Sequence, residues 1–139
     1  MKETERKSAK PYILYAEDDL DDYEALRGAL EHETDEYDLH WVKNGEELVS
    51  FFENGEVEPP SLIVIDLNMP LMDGKQTLKW LKEQDNLKDI PAMVFTTSSR
   101  EEDIKFCQSY GCSFFRKPTL YRDLLHIVQT MLRMSEIGK

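Results

Sequence analysis

The chain has 139 residues, 40% of them apolar, and a formal net charge of -11, which bounds it to one domain able to bury about two-thirds of its unfolded surface. It holds no run of about eighteen apolar residues to cross a bilayer, and its first ten residues, MKETERKSAK, lack the apolar segment of a secretion signal, so a cytoplasmic protein off the membrane is expected. Over residues 17–38 eleven acids stand against one base, Arg27, a field that repels nucleic acid. Cys107 and Cys112 read as small packing residues of a reducing compartment, and His32, His40 and His126 lie too far apart in sequence to suggest a zinc site.

Taken in order, residues 1–10 form a polar tail, and residues 11–16 a first buried strand that ends in Glu17, Asp18 and Asp19. A helix over residues 20–32 follows, with Tyr23, Leu26 and Leu30 at helical spacing. Residues 37–42 have strand character. Asn44, with Glu47 three positions on, opens a second helix through Leu48, Phe51 and Phe52, and residues 54–60 form a loop. The run Leu62, Ile63, Val64, Ile65 is continuously apolar and rich in β-branched side chains, as suits a strand covered on both faces. Asp66 ends it, and Asn68, Met69, Pro70, Asp73 and Gly74 supply turn chemistry. Leu78, Trp80 and Leu81 mark a third helix that ends before Asn86, and residues 90–96 a fourth strand. Ser98 and Ser99, with Glu101 and Glu102, offer capping frames for a fourth helix that closes at Gly111. A fifth strand spans residues 113–116, a last helix residues 119–134, and residues 135–139 a short tail. Strands alternating with helices predict a single α/β domain with a doubly wound parallel sheet.

The chemistry lies at the strand ends, where ligands bind in such sheets. If the first and third strands are neighbours, Glu17, Asp18 and Asp66 meet. Carboxylates so crowded either share a proton or hold a hard divalent cation, and oxygen ligands suit Mg²⁺ rather than zinc. The fourth strand ends in the hydroxyls of Thr96, Thr97 and Ser98, the fifth in Lys117. A carboxylate, a cation, a hydroxyl and an ammonium at one point make a phosphoryl site with the aspartate as nucleophile.

These motifs, Glu17-Asp18, the DLNMPLMDG run at residues 66–74, Thr96, Phe114 and Lys117-Pro118, occur in the order found in response-regulator receiver domains of two-component signalling, which the chain resembles over residues 11–134. The resemblance implies a five-stranded sheet in the order 2-1-3-4-5. It makes Asp66 the phosphoacceptor for a sensor histidine kinase. Mg²⁺ would be held directly by Asp18, Asp66 and the backbone carbonyl of Asn68, and through water by Glu17. Thr96 and Lys117 would contact the phosphoryl group, Phe114 would be a rotating aromatic switch with plain core packing as the alternative, and Lys117-Pro118 would be cis. Asn68, Thr97 and Ser98 stand where the family tunes phosphoryl lifetime, and β-branched Thr97 would narrow access. No separate substrate is turned over on this reading. A haloacid dehalogenase-type phosphatase would want an acid where Asn68 stands, and a phosphorylation-independent scaffold would make Asp66 dispensable.

With five residues after Met134, the chain is expected to act as a stand-alone regulator, similar to the small partners of phytochrome-type and other sensor kinases. Its last helix is apolar over an arc of about 180°, wider than the stripe of about 100° that a core needs. The surplus edge, Tyr121, Leu125 and Leu132, is either a homodimer or partner face or is covered by neighbouring loops or the fourth helix.

Overall fold

The computed structural model describes residues 10–55 and 57–137. In it the apolar runs become five parallel strands, β1 (Tyr12–Ala16), β2 (Asp38–Val42), β3 (Leu62–Ile65), β4 (Ala92–Thr96) and β5 (Ser113–Arg116), in the order β2-β1-β3-β4-β5. Five helices alternate with them: α1 (Leu20–Glu33), α2 (Gly45–Glu53), α3 (Gly74–Lys82), α4 (Glu101–Ser109) and α5 (Tyr121–Ile137).

Successive strand side chains point to opposite faces, which divides the core in two. Ile13, Tyr15, Leu62, Val64, Met93 and Phe95 lie under Leu26, Ala29 and Leu30 of α1 and Leu124, Val128 and Met131 of α5. Leu14, Ala16, Ile63, Ile65, Ala92 and Val94 lie under Leu48 of α2, Leu78 and Leu81 of α3 and Cys107 of α4. Both faces of β3 are covered, which is why its four residues are all apolar and all buried. Each such side chain contributes about 2 kcal/mol by leaving water. Cys107 and Cys112 are buried free thiols.

The helix starts explain how the strand ends are held. Asp19 caps α1 by accepting from the Asp22 amide, and Asn44 caps α2 by accepting from the Glu47 amide at 2.9 Å. Asp73 and Gln76 form a reciprocal capping box at α3, with both bonds at 2.9 Å. Gly111 holds φ at +68°, the left-handed conformation that closes α4 at little cost only for glycine.

Several expectations shift. Ser98 and Ser99 do not cap α4: its N-cap is Arg100, which makes no side-chain capping bond. The Ser98 hydroxyl instead donates to the buried Asp103 carboxylate at 2.5 Å and accepts from the Arg100 amide. The last helix runs to Ile137, past Met134. Of its surplus apolar edge, Leu125 and Leu132 are half-buried against the core on the α1 side of the sheet, with Gln129 reaching Glu33 of α1 at 3.1 Å. Tyr121, 54% exposed, touches His32 of α1 edge to face. The helix that meets α5 is therefore α1, not the fourth. No cis peptide bond occurs among the described residues, so Lys117 joins Pro118 in trans, the isomer favoured by about 0.5–1 kcal/mol even before proline. The expected tail over residues 1–10 lies, apart from exposed Lys10, outside the described residues, as do residues 138 and 139. Among the described residues no helix is long and apolar enough to cross a membrane.

Candidate functional site

Register alone assembles the site. Ala16 pairs with Ile65, Ile65 with Val94 and Thr96 with Arg116, so the next residues along, Glu17, Asp66 and Lys117, emerge together at the carboxyl edge of the sheet. Three backbone bonds fix the exits: Glu17 N to Val42 O, Asp66 N to Ala16 O, and Lys117 N to Thr96 O at 2.7 Å. Gly74 closes the Asp66 loop against β3. A Cβ there would collide with the backbone of Asp66 and Leu67, so glycine is required for close approach.

At this edge Glu17, Asp18 and Asp66 each present an oxygen, all within 4.8 Å of one another. Lys117 Nζ donates to Glu17 Oε1 at 2.6 Å, to Asp22 Oδ2 at 2.8 Å and to Asp66 Oδ2 at 3.4 Å. Glu17 is completely buried and further held by the Tyr15 hydroxyl at 3.0 Å and the Asp19 amide at 3.1 Å. Its backbone carbonyl accepts from the Trp41 indole at 2.6 Å, and that ring stacks on Tyr23. The other oxygen of Asp66, Oδ1, is buried and has no hydrogen-bond partner.

Electrostatics follows from that crowding. Burial, reinforced by the Asp66 charge and opposed by Lys117, raises Glu17 to about 7. Burial would lower Lys117, but its bonds to Asp22 and Glu17 and the charge of Asp66 outweigh this and hold it above its ordinary value. Burial and the Glu17 carboxylate both push the Tyr15 phenol up. Three carboxylates, Glu17, Asp22 and Asp66, thus share one ammonium, and an orphaned buried oxygen beside an exposed carboxylate, Asp18, is the donor set a hard divalent cation needs.

The remaining expected residues fall into place unevenly. Thr96 is fully buried, and its Oγ1 accepts only a long bond from the Ser98 amide, 3.4 Å. Thr97 and Asn68 are exposed at the rim, Phe114 is half-buried against the α3 and α4 face, and the Ser98 hydroxyl turns to Asp103 rather than to Asp66.

The response regulator receiver domain model matches residues 13–129. The chain belongs to the response regulator receiver family. This receiver domain is 32% identical to the response regulator Rcp1 of Synechocystis sp. over 123 residues, 84% of this chain and 83% of Rcp1. In structure it is similar to the phosphorylated cyanobacterial phytochrome response regulator RcpA, with a TM-score of 0.81 and 29% identity over 88% of this chain and 91% of that one. It is also similar to the Mn²⁺-bound form of Rcp1, with a TM-score of 0.78 and 28% identity over 87% and 91%.

The receiver domain holds site residues that the sequence reading passed over. Tyr15 was findable: it lies two residues before Glu17 and so on the same side of the strand. Asp22, three residues past the acidic triplet, was hidden among the eleven acids of residues 17–38. Asp103, 1% exposed and bonded to Lys75 at 2.7 Å, depends on a contact between α3 and α4 that no local spacing reveals.

Proposed function

We propose that Asp66 accepts a phosphoryl group from the phosphohistidine of a sensor kinase in a Mg²⁺-dependent reaction, and that the modified protein signals through protein-protein contacts. The observation that carries this is Asp66 Oδ1: a buried carboxylate oxygen with no partner, beside an ammonium and two further carboxylates. In the transfer the Asp66 carboxylate attacks phosphorus, a P–O bond forms, the P–N bond to the donor imidazole breaks, and its electron pair leaves with the ring nitrogen. Reset is attack of water on the same phosphorus, which returns the carboxylate and inorganic phosphate.

Asp18, Asp66, the Asn68 carbonyl and, through water, Glu17 would hold the cation, which when bound neutralises phosphoryl charge. Lys117 neutralises it from the opposite side, and the Thr96 hydroxyl donates a hydrogen bond to a phosphoryl oxygen, drawing the β4–α4 segment toward Asp66. Phe114 would respond to that movement, while exposed Asn68 and Thr97 at the rim, with Ser98 behind them, set water access and hence lifetime. Phosphorylated RcpA and Mn²⁺-bound Rcp1 support the modification and the divalent cation respectively, and RcpA's being a phytochrome response regulator makes a phytochrome-type kinase the first donor to try. Exposed Asn68 supplies no general acid for a dehalogenase-type phosphatase.

Incubation with Mg²⁺ and acetyl phosphate tests the proposal by intact mass. Wild type should gain one phosphoryl group, and neither Asp66→Asn nor chelator-treated protein should. A wild type that stays unmodified with this donor and with a phosphorylated cognate kinase would refute it.

A further inference from the structure

We propose that Asp22 is a positioning residue for this switch: it competes with the phosphoryl group for the Lys117 ammonium and so sets how readily Asp66 enters the modified state. The inference rests on Asp66 being the phosphoacceptor.

An ammonium has three N–H donors, and in the unmodified protein three carboxylates take all of them. The short bonds, to Glu17 at 2.6 Å and Asp22 at 2.8 Å, hold Nζ 3.4 Å from Asp66, the far limit of hydrogen bonding. Ammonium bonds to phosphoryl oxygens run about 2.7–2.9 Å, so Lys117 has to free a donor and shift before it grips the modified aspartate. Burial decides which bond it gives up. Glu17 is wholly buried, so bulk water cannot take the place of lysine there, and losing that bond would leave its charge undercompensated. The Asp22 side chain is 42% exposed, and water can take the place of lysine there. A cavity of ≈ 50 Å³ lined by Tyr15, Asp22, Phe95, Lys117 and Pro118 gives that water room.

Asp22 is separable from the rest of the site. It is not among the three carboxylates that converge for a cation. Its backbone amide, not its carboxylate, completes the Asp19 cap, so changing the side chain leaves the start of α1 intact. Asp22 therefore stabilises the unmodified arrangement through Lys117, and its removal favours the modified one.

Titration with beryllofluoride, a phosphoryl mimic, at saturating Mg²⁺ tests this on wild type, Asp22→Asn, Asp22→Glu, Lys117→Met and the Asp22→Asn/Lys117→Met double variant. Asp22→Asn should bind about fivefold tighter, the scale of releasing one partly exposed ionic bond, and Asp22→Glu should return toward wild type. In the Lys117→Met background Asp22→Asn should add nothing, whether that background binds weakly or not at all. Unchanged or weaker binding by Asp22→Asn, or a gain that persists without Lys117, overturns the proposal. A wild type that binds no beryllofluoride and accepts no phosphoryl group from acetyl phosphate overturns the phosphoacceptor reading, and this inference with it.

Discussion

Replacing Asp103 by asparagine removes a buried charge that ties α3 to α4 beside the candidate site. Its carboxylate, 1% exposed, accepts from Ser98 Oγ at 2.5 Å, Lys75 Nζ at 2.7 Å and Arg100 Nε at 3.2 Å. Burial alone would raise its pKa, but these bonds outweigh burial and bring it from an ordinary 3.8 down to about 2. Nearly two pKa units correspond to about 2 kcal/mol. The Lys75 and Arg100 side chains are 34% and 65% exposed, so solvent screening reduces the expected loss to about 1 kcal/mol, or about 3–4 °C in Tm for a chain of this length. The folded pKa lies below the unfolded one, so the stabilisation is complete well above 3.8 and is lost as pH falls through about 2. Urea denaturation of wild type and Asp103→Asn at neutral pH and at about pH 3.5 should show a gap at the first that narrows at the second. An equal gap at both, or none at neutral pH, would show that the cluster is not held together by charge.

Other outcomes follow from the same geometry. Glu17 is raised to about 7, so the cation-free protein should lose stability as pH rises from the ordinary 4.5 through about 7. A divalent cation bound as proposed would select the ionised form, so Mg²⁺ affinity should climb with pH and level off above about 7, with proton release visible by calorimetry in two buffers; a pH-independent affinity would contradict the shift. Gly74→Ala forces a methyl onto the Asp66 and Leu67 backbone and should cost about 1–3 kcal/mol in denaturant while weakening cation binding, whereas unchanged stability would mean that the loop has slack.

The strand ends were legible because a buried parallel strand needs an uninterrupted apolar run, and Asp66 visibly ends one. The pairing of Glu17 with Asp66 then required only that β1 and β3 be neighbours, which the topology supplies. Contacts that depend on where two helices meet left no local trace. The frames at Ser98 and Ser99 pointed to a helix cap, but the Ser98 hydroxyl is claimed by Asp103, whose burial demands hydrogen-bond donors that no sequence window displays. Likewise the surplus apolar edge of α5 could be measured in degrees, while the α1 packing that half-covers Leu125 and Leu132 could not be foreseen from α5 alone. Asp22 shows the limit most clearly, since one of several acids in the same stretch holds the site lysine and nothing in its neighbours' chemistry marks it out.

The most direct measurement is the location of the covalent bond. Wild-type protein treated with Mg²⁺ and acetyl phosphate is reduced with borohydride, which converts an aspartyl phosphate to homoserine, and its peptides are sequenced by mass spectrometry. The account predicts homoserine at residue 66, with unreacted Asp18, Asp22 and Glu17 in the same digest. Reduction at one of those three carboxylates, or modification that survives in Asp66→Asn, would contradict it.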